Sequence, residues 1–378
     1  MELELAKLTL RNFRNYRKAD FAFPERTVIV GPNAAGKTNL LEAAFLFSAG
    51  KSFRAGRESE MVSWGESQAR VEATFAGGPS ITRHKAAITL DASGRVIKKS
   101  FELDGKARPT KELRRRFPMV LFSAEDRRLV DGSPGRRRRT LDLILGQGAA
   151  AYQEALAKFN RALASRNRLL EQIAARESTE AELDVWDVQL AEAGDRVIAG
   201  RMEFFAASAA ALQQAYDSLT KRSGHARGRL SIAYEPIADF EALLGSRRGQ
   251  DIAVGTTTAG PHRDDWTILL DGRALNSFGS GGEFRSAALA WRLAETAWLA
   301  KITEREPILL LDDVFSELDA ARAESLRGAL PAGQTIITTP EASEVPDSLR
   351  QGAEVIEISP KERTDGQHEK PAKERPNA

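Results

Sequence analysis

Apolar and polar residues alternate from residue 2 to residue 10 (ELELAKLTL), which predicts a strand with one buried face. Residues 27–30 form a short β-branched strand that runs straight into a glycine-rich turn, with a helix predicted beyond it. From residue 71 to 103 the strand pattern continues, broken by turn signals at Gly77 and Gly78, at residues 91–94, and at Asp104 and Gly105. That spacing predicts an antiparallel layer.

Between residues 150 and 222 the period changes. Tyr152, Leu156, Phe159, Leu163, Leu170 and Ile173 recur at helical spacing, as do Leu183, Trp186, Leu190 and Val197, so two or three long helices are expected. These apolar positions suit the core of a helix pair, and the polar residues 176–180 suit the turn between its members. Strand character returns at residues 229–234 and 266–270, followed by a helix at 286–303, an apolar strand at 308–311 and a last strand at 355–358. Residues 360–378 hold no Val, Ile, Leu, Met or aromatic side chain among dense charges and three prolines, so they are expected to be a disordered tail.

At 378 residues the chain exceeds an average domain, and two domains, or one large domain with an insertion, are expected. Its 42% hydrophobic and 29% charged content excludes global disorder. The absence of cysteine removes disulfides, thiolate metal sites and a cysteine nucleophile, and fits a reducing, cytoplasmic setting. No leader-like N-terminus and no apolar run of bilayer length are present, so neither export nor a membrane partner is expected. Fifty-five basic against 53 acidic side chains leave a net charge of +2, so affinity for nucleic acid has to come from patches. Two arginine runs supply candidates: Arg114, Arg115 and Arg116, with Lys106, Arg108 and Lys111 just upstream, and Arg136, Arg137, Arg138 and Arg139. Standing alone, such runs read equally as solvated surface.

Candidate chemistry concentrates in four places. Gly31, Pro32, Asn33, Ala34, Ala35, Gly36, Lys37 and Thr38, followed by Asn39, match a phosphate-binding loop between a strand and a helix. The glycines let backbone N–H groups converge on phosphate oxygens, Lys37 reaches the β and γ phosphates, and Thr38 offers a hydroxyl to Mg²⁺. Downstream, residues 307–311 form an apolar strand ending in Asp312 and Asp313, two carboxylates that need a cation or partner. Asp312 suits the outer sphere of Mg²⁺, and Asp313 suits polarising the attacking water. Ser280, Gly281, Gly282 and Glu283 head a predicted helix, and Ser316 to Asp319 follow the carboxylates. His262, flanked by Arg263 and two aspartates, reads as general base or as structural hydrogen-bond hub, and no two histidines have ligand spacing.

The Ser280–Glu283 segment resembles the signature loop of ABC-type ATPases, and the segment ending in Asp319 resembles their D-loop. Their order around a helical insertion is similar to SMC and Rad-type heads. Within that group LTLRNFRNY, GPNAAGKTNLLEA, FSAEDRRLVDGSPGRRRRTLD, AGPHRDD, FGSGGEFR and LLLDDVFSELD resemble the RecF recombination-mediator family, from residue 8 to 319. Three departures stand out. Ala34 stands where many relatives have glycine, Gly279 replaces the usual leucine before the signature serine, and no histidine follows the strand at 335–339.

The resemblance implies an α/β fold: an ABC-type ATPase head, with mixed β-sheets around a P-loop helix and an inserted, mainly helical second lobe. Residues 1–110 and 300–359 would form the ATP-binding lobe, and residues 111–299 the second lobe with the signature motif. It implies that Ser280, Gly281 and Gly282 of one copy face the γ phosphate held by Lys37 of another, with Asp319 alongside, so that ATP and Mg²⁺ join a homodimer. The expected partners are double-stranded and gapped DNA, with RecO and RecR, and indirectly RecA. Hydrolysis is expected to be slow without the switch histidine. A small-molecule P-loop kinase would leave Ser280 and Asp319 unexplained, and an SMC-like chromosome tether would need heptads far longer than the helical stretch at 150–222.

Overall fold

The computed structural model describes residues 3–77, 80–113, 115–221 and 228–359. Gly78, Arg114 and the predicted tail 360–378 lie outside the described residues. The strands are β1 (Leu3–Phe13), β2 (Tyr16–Ala22), β3 (Arg26–Val30), β4 (Gln68–Gly77), β5 (Ser80–Leu90), β6 (Val96–Leu103), β7 (Lys106–Arg108), β8 (Met119–Ser123), β9 (Leu230–Tyr234), β10 (Trp266–Leu270), β11 (Arg273–Ala274), β12 (Ile308–Asp312), β13 (Thr335–Thr339) and β14 (Glu354–Glu357).

Three sheets result. The order β2-β1-β4-β5-β6-β7 forms an antiparallel layer, β11-β10-β9 a small sheet, and β14-β3-β13-β12-β8 a sheet whose paired strands are all parallel. Period-two burial sets the first sheet at Val71, Ala73 and Phe75 of β4 and at Leu8 and Leu10 of β1, while a register shift at Leu5/Lys7 and the positive φ of Asn12 keep Leu5 and Phe13 buried at a spacing of three. The parallel sheet carries helices on both faces, so β12 reads as unbroken apolar Ile308–Leu311 rather than as alternation. Strand β8 belongs to this sheet through Leu310↔Leu121, although the sequence division puts residues 111–299 in the second lobe. Its Met119, Val120, Leu121 and Phe122 are all buried, as a strand covered on both faces requires.

The second lobe is built on the antiparallel helices Ala150–Ala174 and Leu183–Thr220, with Arg176 at φ 61 opening the turn between them. Helices Pro134–Gly148, Phe240–Val254 and Gly281–Thr303 complete it. Buried arginines fasten these elements. Arg166 bonds Asp187 at 2.6 Å and Asp251 at 2.7 Å, while Arg201 bonds Asp142 at 2.9 Å, Asp264 at 3.0 Å and the Pro261 carbonyl at 2.7 Å. A guanidinium supplies enough donors to satisfy several acceptors at once, and removing it would leave buried carboxylates unpaired.

His84 lies within the aromatic cluster of Phe47, Phe75 and Phe117, its ring 4.3 Å from that of Phe117. Burial pushes its pKa down to about 4 from 6.5, and Nδ1 has no partner. Between those values the unfolded chain takes up a proton that the folded chain refuses, so stability falls as pH drops through that window. The expected loss is about 1–3 kcal/mol after solvent screening. Urea unfolding of His84→Leu at neutral pH and near pH 4 should show a flatter acid limb than the parent; an unchanged limb would rule out His84 as its source.

Candidate nucleotide-binding site

The site grows from strand order. β13 lies between β3, which leads into the phosphate loop, and β12, which ends in the carboxylates, so three C-terminal strand ends converge. Pro32, Asn33 and Ala34 form the exposed tip of the loop, and Gly31, Ala35 and Gly36 its buried base. Gly36 has φ 118, and a Cβ there would lie 2.6 Å from Asn15 Nδ2, so glycine is required on two grounds. Ala34 at φ 65 occupies the left-handed region without being glycine, so the departure noted in the sequence carries local strain of about 1 kcal/mol.

Lys37 opens the helix Lys37–Ala49 with its side chain folded back: Nζ donates to the carbonyls of Gly31 at 2.5 Å and Pro32 at 3.1 Å. Burial lowers its pKa, while the charges of Asp313, Asp312 and Glu344 work against that shift. A cation held over loop carbonyls is available to phosphate oxygens, which are better acceptors for it than neutral carbonyls.

Thr38 Oγ1 donates to Asp312 Oδ1 at 2.9 Å, and Thr338 Oγ1 donates to the same oxygen at 2.8 Å. Burial raises the pKa of Asp312 against the lowering effect of these two hydrogen bonds. Asp313 is held at φ 55, its N–H directed at the carbonyl and hydroxyl of Thr338, both 3.1 Å away. Its Oδ1 is buried without a partner. A carboxylate that burial disfavours, a neighbouring hydroxyl and an orphaned carboxylate oxygen form a set of hard oxygen donors that fits Mg²⁺ bound together with nucleotide phosphates. Thr38 and Asp312 would hold the ion, which would screen phosphate charge.

A second network braces the loop from behind. Asn15 Nδ2 donates to the Ala35 carbonyl at 2.9 Å, and Asn39 Nδ2 to Asn15 Oδ1 at 2.5 Å. The fully buried Glu42 accepts from Arg14 Nε at 2.8 Å and from Arg54 Nε at 3.2 Å. Thr338, Glu42 and Arg14 are not singled out by the sequence; the polar pair Thr338 and Thr339 at the C-terminal end of the strand TIITT is the available signal.

The other candidate residues sit elsewhere. Ser280 caps the helix Gly281–Thr303: its Oγ accepts from Glu283 N at 3.3 Å, and its own N donates to Glu283 Oε2 at 2.7 Å. Ser280 and Gly281 are exposed, and no hydrogen bond joins residues 280–282 to residues 31–39 among the described residues. Asp319 caps the helix Ala320–Ala329, half exposed, by accepting from Arg322 N at 2.9 Å. Arg137 is buried with its guanidinium on Asp265 at 2.7 and 2.6 Å, and Arg138 bonds the Asp264 carbonyl. Those two arginines are engaged in binding the 261–265 segment to helix Pro134–Gly148. Arg136 meets Glu125 at 3.4 Å and stays half exposed. Arg115 and Arg116 are exposed. His262 Nε2 donates to the Thr257 carbonyl at 3.2 Å, its ring lies against Phe159, and burial lowers its pKa. Among the described residues no helix is long and apolar enough to cross a membrane, and no cluster of three metal-ligating side chains occurs.

A phosphate loop and paired carboxylates on a parallel sheet, flanked by an antiparallel layer and a helical lobe bearing a detached Ser-Gly-Gly loop, define an ATPase head of the ABC and SMC class; the family described as RecF/RecN/SMC N terminal domain matches residues 4–361. The chain is 38% identical over 344 residues to the DNA replication and repair protein RecF of Agathobacter rectalis, covering 88% of this chain and 91% of that protein. Against its counterpart in Heliobacterium modesticaldum the identity is 37% over 353 residues, covering 89% and 92%. A solved structure of the recombination mediator protein RecF with ATP, in the RecFOR pathway, aligns with a TM-score of 0.82 at 30% identity, covering 91% of this chain and 94% of that one. The chain belongs to the RecF family.

Proposed function

We propose that this protein is an ATP-switched recombination mediator: ATP joins two copies, the dimer grips double-stranded or gapped DNA, and with RecO and RecR it helps load RecA. The observation that carries this reading is that the Ser280–Gly282 loop, with Ser280 and Gly281 exposed at a helix N-terminus, makes no hydrogen bond to the Lys37 loop of the same chain among the described residues. A helix N-terminus attracts anions. In a second copy that loop would meet the γ phosphate, so only the triphosphate bridges two subunits and hydrolysis releases them.

Within the site, Lys37 would move from its carbonyls to the β and γ oxygens, Thr38 and Asp312 would hold Mg²⁺, and Asp313 would orient the attacking water and accept its proton. Glu344, which accepts from Thr339 Oγ1 at 2.8 Å, follows β13 where the ABC switch histidine is missing. A carboxylate there supplies no positive charge to the leaving phosphate, in keeping with slow hydrolysis.

For DNA, the reading uses Arg115 and Arg116, which line an open groove of about 1220 Å³ together with Arg161 and Arg305 and with the acidic Glu112, Asp142, Glu154 and Glu304. Arg114 lies outside the described residues, and Arg136 through Arg138 are engaged as described above. DNA binding by the parent should require ATP and occur at two copies per site; binding indifferent to nucleotide would overturn the switch. Alanine at Arg115, Arg116, Arg161 or Arg305 should each reduce the logarithmic salt slope by about 0.9. Arg137→Ala should instead lower the melting temperature, because Asp265 and the Gly132 carbonyl lose the guanidinium that ties them to helix Pro134–Gly148, at a cost of about 1–3 kcal/mol. A salt slope changed by Arg137→Ala alone would reverse these assignments.

A further inference from the structure

We propose that Arg322 is a positioning residue that locks the Ser280–Gly282 loop and the Asp319 turn into one unit presented to a second copy's nucleotide; the inference rests on the composite-site reading above. Arg322 lies in the first turn of the helix Ala320–Ala329, and its side chain is only 13% exposed. Nη1 donates to Asp319 Oδ2, and Nε lies 3.3 Å from Ser286 Oγ on the signature helix Gly281–Thr303. Nη2 rests against Gly282, where an added Cβ would come within 2.6 Å of it and 3.2 Å of Cζ. A guanidinium therefore fills the space beside Gly282, and one side chain touches both segments that the dimer would use.

The electrostatics give the contact a purpose. Glu283 turns its carboxylate onto Ser280 N, and Asp319 stands half exposed nearby, so the surface meant to receive a γ phosphate carries two acids. Arg322 sets a fixed cation behind the first helical turn, beside the amides that would meet the phosphate, and Nη2 has no hydrogen-bond partner among the described residues. Lysine could supply the charge, but it lacks the planar fork that reaches Asp319 and Ser286 together.

The test compares the full-length parent with Arg322→Ala, Arg322→Gln and Arg322→Lys, with Ser280→Arg as the control that blocks the surface. Monomer affinity for a slowly hydrolysed ATP analogue and the analogue concentration giving half-maximal dimer are measured for each, by titration calorimetry and analytical ultracentrifugation. The expected result for Ala and Gln is a dimerisation midpoint raised at least tenfold with monomer affinity within twofold of the parent, and a smaller rise for Lys. Folded Gln or Lys variants keep the test valid if Ala unfolds. A parent that dimerises alongside Ala and Gln variants that dimerise equally well overturns the inference alone. Monomer affinity that falls in step with dimerisation also overturns it, since the residue would then serve the whole fold. A parent that stays monomeric while binding the analogue overturns the composite site and this inference with it.

Discussion

Lys37→Met should abolish ATP-dependent dimerisation and DNA binding while leaving the protein folded. The amine is buried, its only bonds among the described residues are to the Gly31 and Pro32 carbonyls, and burial already disfavours its charge. Methionine keeps the length of the stem without the charge, so the apo protein should be at least as stable as the parent. What disappears is the charge-assisted bond to phosphate, worth about 1.5–3 kcal/mol, or roughly 10- to 100-fold in ATP affinity. The switch loses more than that, because dimerisation uses two sites and each must hold its triphosphate in register. ATP titration, melting temperature and sedimentation with ATP check the three parts separately. A Lys37→Met protein that still dimerises with ATP would show that the bridge does not depend on this loop.

The site was legible where chemistry imposes a contiguous pattern. A phosphate loop must be continuous because backbone amides from neighbouring residues converge on one ligand, so residues 31–38 announced themselves, as did two aspartates at the end of an apolar strand. Thr338 was hidden because threonine is ordinary in a strand, and its role depends on β13 lying between β3 and β12, a fact of topology. Helix Phe240–Val254 escaped notice because only Phe240, Leu244 and Asp251 are buried, too few to mark a period, although Asp239 caps it by accepting from Ala242 N at 2.8 Å. The apolar pattern of the signature helix starts only at residue 286, because the glycines of its first turn carry no side chain to show a period, and it was the Ser280–Glu283 segment that marked the head from which the helix begins at Gly281. The arginine run 136–139 misleads for the opposite reason. Sequence displays charge but not its partner, and Arg137 finds Asp265 far along the chain.

Asp313→Asn should bind ATP and dimerise as the parent does but hydrolyse it about 10²- to 10⁴-fold more slowly, leaving long-lived dimers on DNA. The substitution is clean for a structural reason. Asp313 sits at φ 55, a conformation asparagine tolerates nearly as well as aspartate, so the backbone and its N–H contact with Thr338 should persist. Alanine there would add strain and confuse loss of chemistry with loss of geometry. The change removes a proton acceptor at a carboxylate oxygen that is buried and unpartnered among the described residues, while Asp312 keeps its bonds to Thr38 and Thr338. Asp312→Asn is the necessary contrast: it weakens the place for Mg²⁺ and should raise the ATP concentration needed for dimerisation as well as slow turnover. If hydrolysis controls release, the dimer lifetime on DNA in Asp313→Asn lengthens by the same factor as turnover slows, measurable as dissociation after ATP is withdrawn. Parental turnover in Asp313→Asn would move the water-orienting role to another group, with Glu344 as the next carboxylate to substitute.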